Sequence, residues 1–406
     1  MKHRLIDLLA CPACGGFPLR VAAFEMSTGP ETPVSSPRCE RYCGYQSLAV
    51  EGGSAEWPCS RCYALEITSG KLTCSHCGAD YPIVRDIPRF NPDAARDFPE
   101  FFRVWENQFR RSTPADDTSF ENLHAATKSS FGFQWLRFEV TGLEENRAHF
   151  YRRTGTTPGT LARQLFFEAG CGMGRYLSVI GEEPGAEVVG LDLSLAVDRA
   201  RAENRDKPGV HVIQGNLLQL PLRLASFTHV YSIGVLHHTR DTRQAFRSIL
   251  RLARPGGRVS IWVYHVWRPP ELQGLKAVEA SIRAAVSDGL RRVTTRLPHG
   301  ALRCFCYLAV PLGQIQRWIV RLPQPLRALL SPLYWLPVST HVDWRVRITD
   351  TFDWYAPQYQ WKHTVEEVEG WFREAGLVDI STQGFPVSVR GTVARAPTRA
   401  EPNQRA

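Results

Sequence analysis

No stretch of about 18 uninterrupted apolar residues occurs in the 406-residue chain, which argues against a membrane-spanning helix. The opening residues, Met1–Ala10, lack a long apolar core ahead of Cys11, so no secretory leader is expected and the chain reads as cytoplasmic. Cysteine is scarce beyond residue 78, because eight of the eleven cysteines precede it. In a chain without an export signal, that clustering favours metal over disulfides. What is present is ordinary for a folded protein: 43% hydrophobic and 22% charged residues, in a length that suits two or three domains. The net charge of +9 is uneven, with eleven Lys/Arg against four Asp/Glu between Val266 and Arg345. A basic segment of this kind suits RNA, anionic lipid, an anionic substrate or a solvated helical face.

The run Glu168-Ala-Gly170-Cys171-Gly172-Met-Gly174-Arg175 follows the apolar Leu165-Phe-Phe167 and leads into Tyr176, Leu177, Val179 and Ile180 at helical spacing. It reads as strand, glycine turn and helix, and Val188-Val-Gly-Leu-Asp192 reads as the next strand. Close glycines let the backbone approach a ligand, and a carboxylate one unit later suits ribose hydroxyls. A dinucleotide fingerprint needs its third glycine at 175, where this chain has arginine. The spacing found here resembles motif I of the class I S-adenosylmethionine (SAM) methyltransferases.

Later segments resemble that family in the same order. Val210–Ile213 reads as a third strand, followed by Gln214-Gly-Asn216-Leu217-Leu-Gln-Leu-Pro221, where the family usually places an acid that accepts the adenine amino group. An amide carbonyl at Asn216 can accept that bond too. Ser226–His238 resembles the fourth strand and its loop, with Thr228 standing where aspartate is usual, which weakens a structural hydrogen bond. Arg254-Pro-Gly-Gly-Arg258 resembles the turn into strand five. Thr364 and Glu367 read as the capping box of a helix that Gly376 stops, and Val378–Thr382 and Pro386–Ala394 as the last strands. The resemblance implies a Rossmann-like α/β fold with seven strands, a SAM site at Glu168, Gly170, Cys171, Gly172, Gly174, Asp192, Leu193, Asn216, Leu217 and Ser232, and an acceptor near the fourth strand. There His237 and His238 are the candidate catalytic side chains. The Phe352–Tyr359 stretch resembles a D-x-F-D-W-x-x-P segment of the fused methyltransferases, which implies that it lines the acceptor site.

At the other end, Cys11-Pro-Ala-Cys14-Gly and Cys74-Ser-His-Cys77-Gly are two knuckles whose glycines permit tight turns. With their flanks they resemble the zinc-ribbon proteins that activate methyltransferases for tRNA and translation factors, a module that bacterial methyltransferases also carry fused. We expect a structural zinc on Cys11, Cys14, Cys74 and Cys77, and a second four-cysteine site on Cys39, Cys43, Cys59 and Cys62. The spacing also admits a serial pairing of 11/14 with 39/43 and 59/62 with 74/77, and reduced cysteines without metal.

The expected organisation is a zinc-ribbon domain over 1–92 and a connecting segment with an aromatic helix over 93–160. The methyltransferase domain follows over 161–265 and 346–395, with a helical lid over 266–345 and a disordered tail over 396–406. Residues 112–119 read as a loop. Arg303, Arg317, Arg321 and Arg327, beside Phe305, Tyr307, Trp318 and Leu329, suit either lid packing or a peripheral helix on anionic lipid. The expected activity is SAM-dependent transfer to a small-molecule, glycan or lipid-linked acceptor, since Gly234–His238 resembles quinone and natural-product enzymes and no N-P-P-Y loop is present. An RNA base methyltransferase that reads substrate through its zinc head is the alternative, and a non-catalytic SAM-binding scaffold a third reading. The sequence leaves the oligomeric state open.

Overall fold

A computed structural model describes residues 1–31, 38–50, 57–109, 118–137, 142–266, 273–383 and 385–395. The tail at 396–406 lies outside the described residues, as does most of the expected loop at 112–119. The aromatic-dense segment from Phe131 closes the helix Thr118–Arg137.

The N-terminal head contains β1 (Leu19–Thr28), the short pair β2 (Tyr42–Cys43) and β3 (Leu48–Ala49), β4 (Leu65–Cys74), β5 (Asp80–Val84) and β6 (Ile87–Pro88). Antiparallel pairing arranges four of these as β1-β4-β5-β6. The larger sheet has seven strands: β7 (Leu165–Ala169), β8 (Glu187–Asp192), β9 (Val210–Gln214), β10 (Phe227–Ile233), β11 (Ala253–Trp262), β12 (Leu377–Thr382) and β13 (Ser388–Val393). Their order is β12-β13-β11-β10-β7-β8-β9, parallel from β11 to β9, with β13 antiparallel to both β11 and β12. Parallel strands covered on both faces need continuous apolar runs, which Phe166-Phe167 and Val188-Val189 supply. The strand order reverses beside β7, and there a crevice opens at the carboxyl ends of the strands.

Two local findings refine the sequence reading. Thr228 does not leave its place unbonded: its hydroxyl donates to the Leu165 carbonyl at 2.7 Å and accepts the Leu165 amide at 2.9 Å, tying β10 to β7. At the last long helix (Val365–Glu374), Thr364 accepts the Glu367 amide as expected, but the Glu367 carboxylate turns to His363 Nδ1 at 3.0 Å.

The head and the large sheet share one core. Leu5, Leu8, Ile67, Leu72 and Ile83 join Phe167, Val189 and Leu191 in a single apolar cluster. Backbone pairing continues across the junction, where Arg89 bridges Gln214 in parallel at the free edge of β9 and the Phe90 amide donates to the Gln214 carbonyl at 2.8 Å. The helices His299–Ile319 and Trp344–Tyr355 pack together through Leu302, Cys306, Ile348, Phe352 and Tyr355, with Gly274–Thr294 against the latter.

Candidate active site and metal centre

In the head, the four sulfurs of Cys11, Cys14, Cys74 and Cys77 lie within 4.8 Å of one another. Gly15 and Gly78 take φ of +74° and +75°, which lets each knuckle fold back so that its sulfurs share one centre. Burial raises the Cys74 thiol, but the Cys77 and His76 amides donate to its sulfur and bring it down to about 7. Tyr81 Oη stands 3.1 Å from Cys11 Sγ. Four thiolates at one point fit a tetrahedral zinc with no open position, so the ion would be structural. Burial pushes up the thiols of Cys39, Cys59 and Cys62, and Cys43 lies close enough to each of them to add to the rise. Cys43 and Cys62 are buried, and burial pushes the Cys62 thiol up to about 12.

A cavity of about 810 Å³ fills the crevice at the strand ends. One half is built by the glycine turn after β7. Gly170 has φ of +76°, and a Cβ there would stand 2.3 Å from Val235. Asp192 closes the turn from β8: one carboxyl oxygen accepts the Gly172 amide at 2.9 Å, and the other accepts the Ser194 amide and hydroxyl at 2.8 and 2.7 Å. Burial raises its pKa against those bonds. Glu168, at the foot of the same wall, is pushed up to about 8 by burial and accepts the Tyr231 hydroxyl at 3.0 Å.

The opposite half is aromatic and charged. Tyr264 donates to Asp353, and Gln134 also bonds that carboxylate. His238 Nε2 lies 3.8 Å from Asp353 Oδ2, while its Nδ1 donates to the Tyr359 carbonyl at 2.9 Å. Burial alone would raise Asp353; contact with His238 and the Tyr264 hydroxyl instead holds it below the usual carboxylate range. Nearby, the Arg153 guanidinium stacks over Trp262 and Phe385, 4.5 and 4.6 Å from the ring centres. Its Nε and Nη1 are buried without a partner among the described residues, and Lys362 stands on the same wall.

The structure brings Glu168, Gly170, Cys171, Gly172 and Asp192 into the cavity lining. The other expected cofactor residues stand behind or beside it. Gly174, at φ of +86°, starts the helix after the turn, and Leu217 is buried. The Leu193 carbonyl is occupied by Asn91 at 2.9 Å and Gln214 at 3.2 Å. Asn216 accepts the Leu218 amide at 2.9 Å, and the buried Ser232 hydroxyl donates to the Ala169 carbonyl. His237 is fully buried behind the wall, 4.0 Å from the Tyr264 ring and 4.1 Å from His238, and burial holds its pKa well below normal. Sequence reasoning assigned no role to Arg153 or Lys362, which sit in no glycine or cysteine motif, and only folding brings them to one cavity with Gln134 and Tyr264.

Residues 167–261 match the family model of the methyltransferase domain, and residues 2–86 match that of Trm112p-like proteins. A malonyl-[acyl-carrier protein] O-methyltransferase of Pseudescherichia vulneris is 34% identical over 118 residues, covering 29% of this chain and 46% of that protein. A demethylmenaquinone methyltransferase of Lactococcus lactis is 33% identical over 119 residues, covering 28% and 45%. The chain thus spans about half the length of the curated relatives it matches. Among solved structures, an S-adenosylmethionine-dependent methyltransferase from Mesorhizobium loti aligns at 28% identity and a TM-score of 0.28, over 31% of this chain and 58% of that one.

Proposed function

We propose that this chain, which joins a methyltransferase domain to a Trm112p-like domain, transfers a methyl group from SAM to a small-molecule, glycan or lipid-linked acceptor. The observation that carries the reading is the division of one cavity into two halves, with the glycine turn and Asp192 facing Tyr264, Asp353 and Arg153. The first half fits a nucleoside cofactor. Gly170 and Gly172 take the positive φ that folds the turn tightly against the cavity, and Asp192 lines the cavity beside them. Bound there, SAM would supply an electrophilic methyl group on a sulfonium.

The chain's own work is to align the acceptor and exclude water. Where the acceptor must lose a proton, Asp353 is the carboxylate on the acceptor wall that can take it; with its pKa held low it is a weak base, and it acts through the position that Tyr264, Gln134 and His238 give it. His237 supports Tyr264 from behind. Arg153, with two unmet donors, anchors a carboxylate or phosphate of the bound pair. In this reading Leu193, Asn216 and Ser232 shape the cofactor loop.

The test supplies methyl-labelled SAM to the purified protein with fractionated host extract and counts label in RNA, protein, lipid and small-molecule pools. Label in the lipid or small-molecule pool is expected. Label in RNA that ribonuclease removes would overturn the acceptor class and favour the reading to which the Trm112p-like match points.

A further inference from the structure

The lid has two apolar faces, and only one is covered. In the helix His299–Ile319, Leu302, Cys306, Ala309, Gly313 and Ile319 are buried against its neighbours. A second stripe, at steps of seven, three and four residues, runs along the outside and just past the helix end: Leu308 is 77% exposed, Ile315 39%, Trp318 58% and Leu322 37%. Leu326, Leu329, Leu333 and Trp335 extend it, again exposed. Soluble surfaces rarely leave so much aliphatic and tryptophan side chain together.

The segment that carries the stripe has charge of one sign. Between Asp288 and Asp343 the sequence holds seven arginines and not one acidic residue. Among the described residues, no helix is long and apolar enough to cross a membrane. An amphipathic surface with leucine and tryptophan on one face and arginine beside it suits the boundary between headgroups and acyl chains. We infer that the outer face of the lid docks on an anionic lipid surface. A second copy of the chain is a poor occupant, because mating two such faces would oppose arginines to arginines. RNA would meet the arginines but leave the leucines uncovered.

The same face leads inward. A second cavity of about 460 Å³ is lined by Arg317, Val320, Tyr334 and Trp354, and Trp354 also lines the reaction cavity. A lipophilic acceptor held in the leaflet would therefore lie beside the reaction cavity. This extension rests on the proposed methyl transfer, whereas the docking does not.

Flotation of the full chain with vesicles tests the docking, using phosphatidylcholine alone or mixed with phosphatidylglycerol, at low and high salt. Retention is expected on the anionic vesicles only, weaker at high salt. R317E/R321E should reduce it at least about tenfold, and L308D/W318D should reduce it comparably. Both pairs are exposed or half-exposed, and unchanged thermal melting confirms that the variants fold. SAM binding measured on the same samples separates a failed docking from a failed cofactor site. No retention overturns the proposal. So does equal retention on neutral vesicles, a dimer that L308D/W318D dissolves without vesicle binding, or RNA binding by a protein that ignores vesicles.

Discussion

Asp192 serves the turn and the cavity with the same carboxylate, since its bonds to Gly172 and Ser194 fix the backbone that a cofactor must approach. Asp192→Ala should weaken SAM binding by about 1.5–3 kcal/mol, the worth of hydrogen bonds to a charged group. Calorimetry checks this, and unchanged affinity removes Asp192 from the site. Asp353 makes the complementary case. Its carboxyl sits below the ordinary range, so it stays ionised throughout neutral pH and its contribution fades only as pH falls through its own pKa. Asp353→Asn should lower kcat by about 10²–10⁴-fold while leaving SAM affinity intact. A loss of SAM binding instead would mark Asp353 as a scaffold residue. The motifs made the first of these residues legible. The second was visible only as a carboxylate in an aromatic run, because its partners Gln134, His238 and Tyr264 are distant in sequence.

Among the elements, the two knuckles show how little structure a metal replaces. The strands between them are short or irregular, and the β1–β4 register shifts near Glu25. Cys11→Ser should cost the head its zinc, read as lost metal stoichiometry with a lowered melting temperature; intact stoichiometry would contradict the quartet. The knuckle spacing announced the half-sites, but two pairings of four remained open on paper. The fold brings residues 11 and 14 to 74 and 77 because β1, just after the first knuckle, pairs with β4 so that Leu19 lies opposite Cys74, and the β4–β5 turn carries the second knuckle. The edge contact at Arg89 is another case. Its guanidinium reaches Asp198 in the helix Ala196–Glu203 at 2.8 Å and Gln214 at the end of β9 at 3.2 Å, so the head braces both, and no local pattern foretells that.

At the scale of the whole molecule, the head is latched to the seven-stranded sheet by a buried cluster. Glu187, at the start of β8, is 3.1 Å from Arg4 Nη2, accepts the Tyr63 hydroxyl, and lies 3.6 Å from His211. Burial would raise its pKa, but Arg4 and His211 hold it well below the usual carboxylate range. A depressed folded pKa stabilises above the unfolded value, about 4.3, and that stabilisation is lost as pH falls toward the folded pKa. Glu187→Gln should therefore cost about 3 kcal/mol near neutral pH, and the difference from the parent should shrink below pH about 4. Melting curves across that window check it; a pH-independent difference would mean that the charge is not what latches the head.

The sequence by itself determined the fold class, the glycine turn with its acid, the zinc knuckles and the capped final helix. Each is a local pattern whose backbone demands can be met by few residue types. Tertiary structure alone decided which cysteines converge, that head and sheet share one core, and which side chains face the glycine turn across the cavity. Those outcomes depend on packing between segments far apart in the chain, where an apolar or charged residue carries no mark of its partner until the sheet and lid have formed.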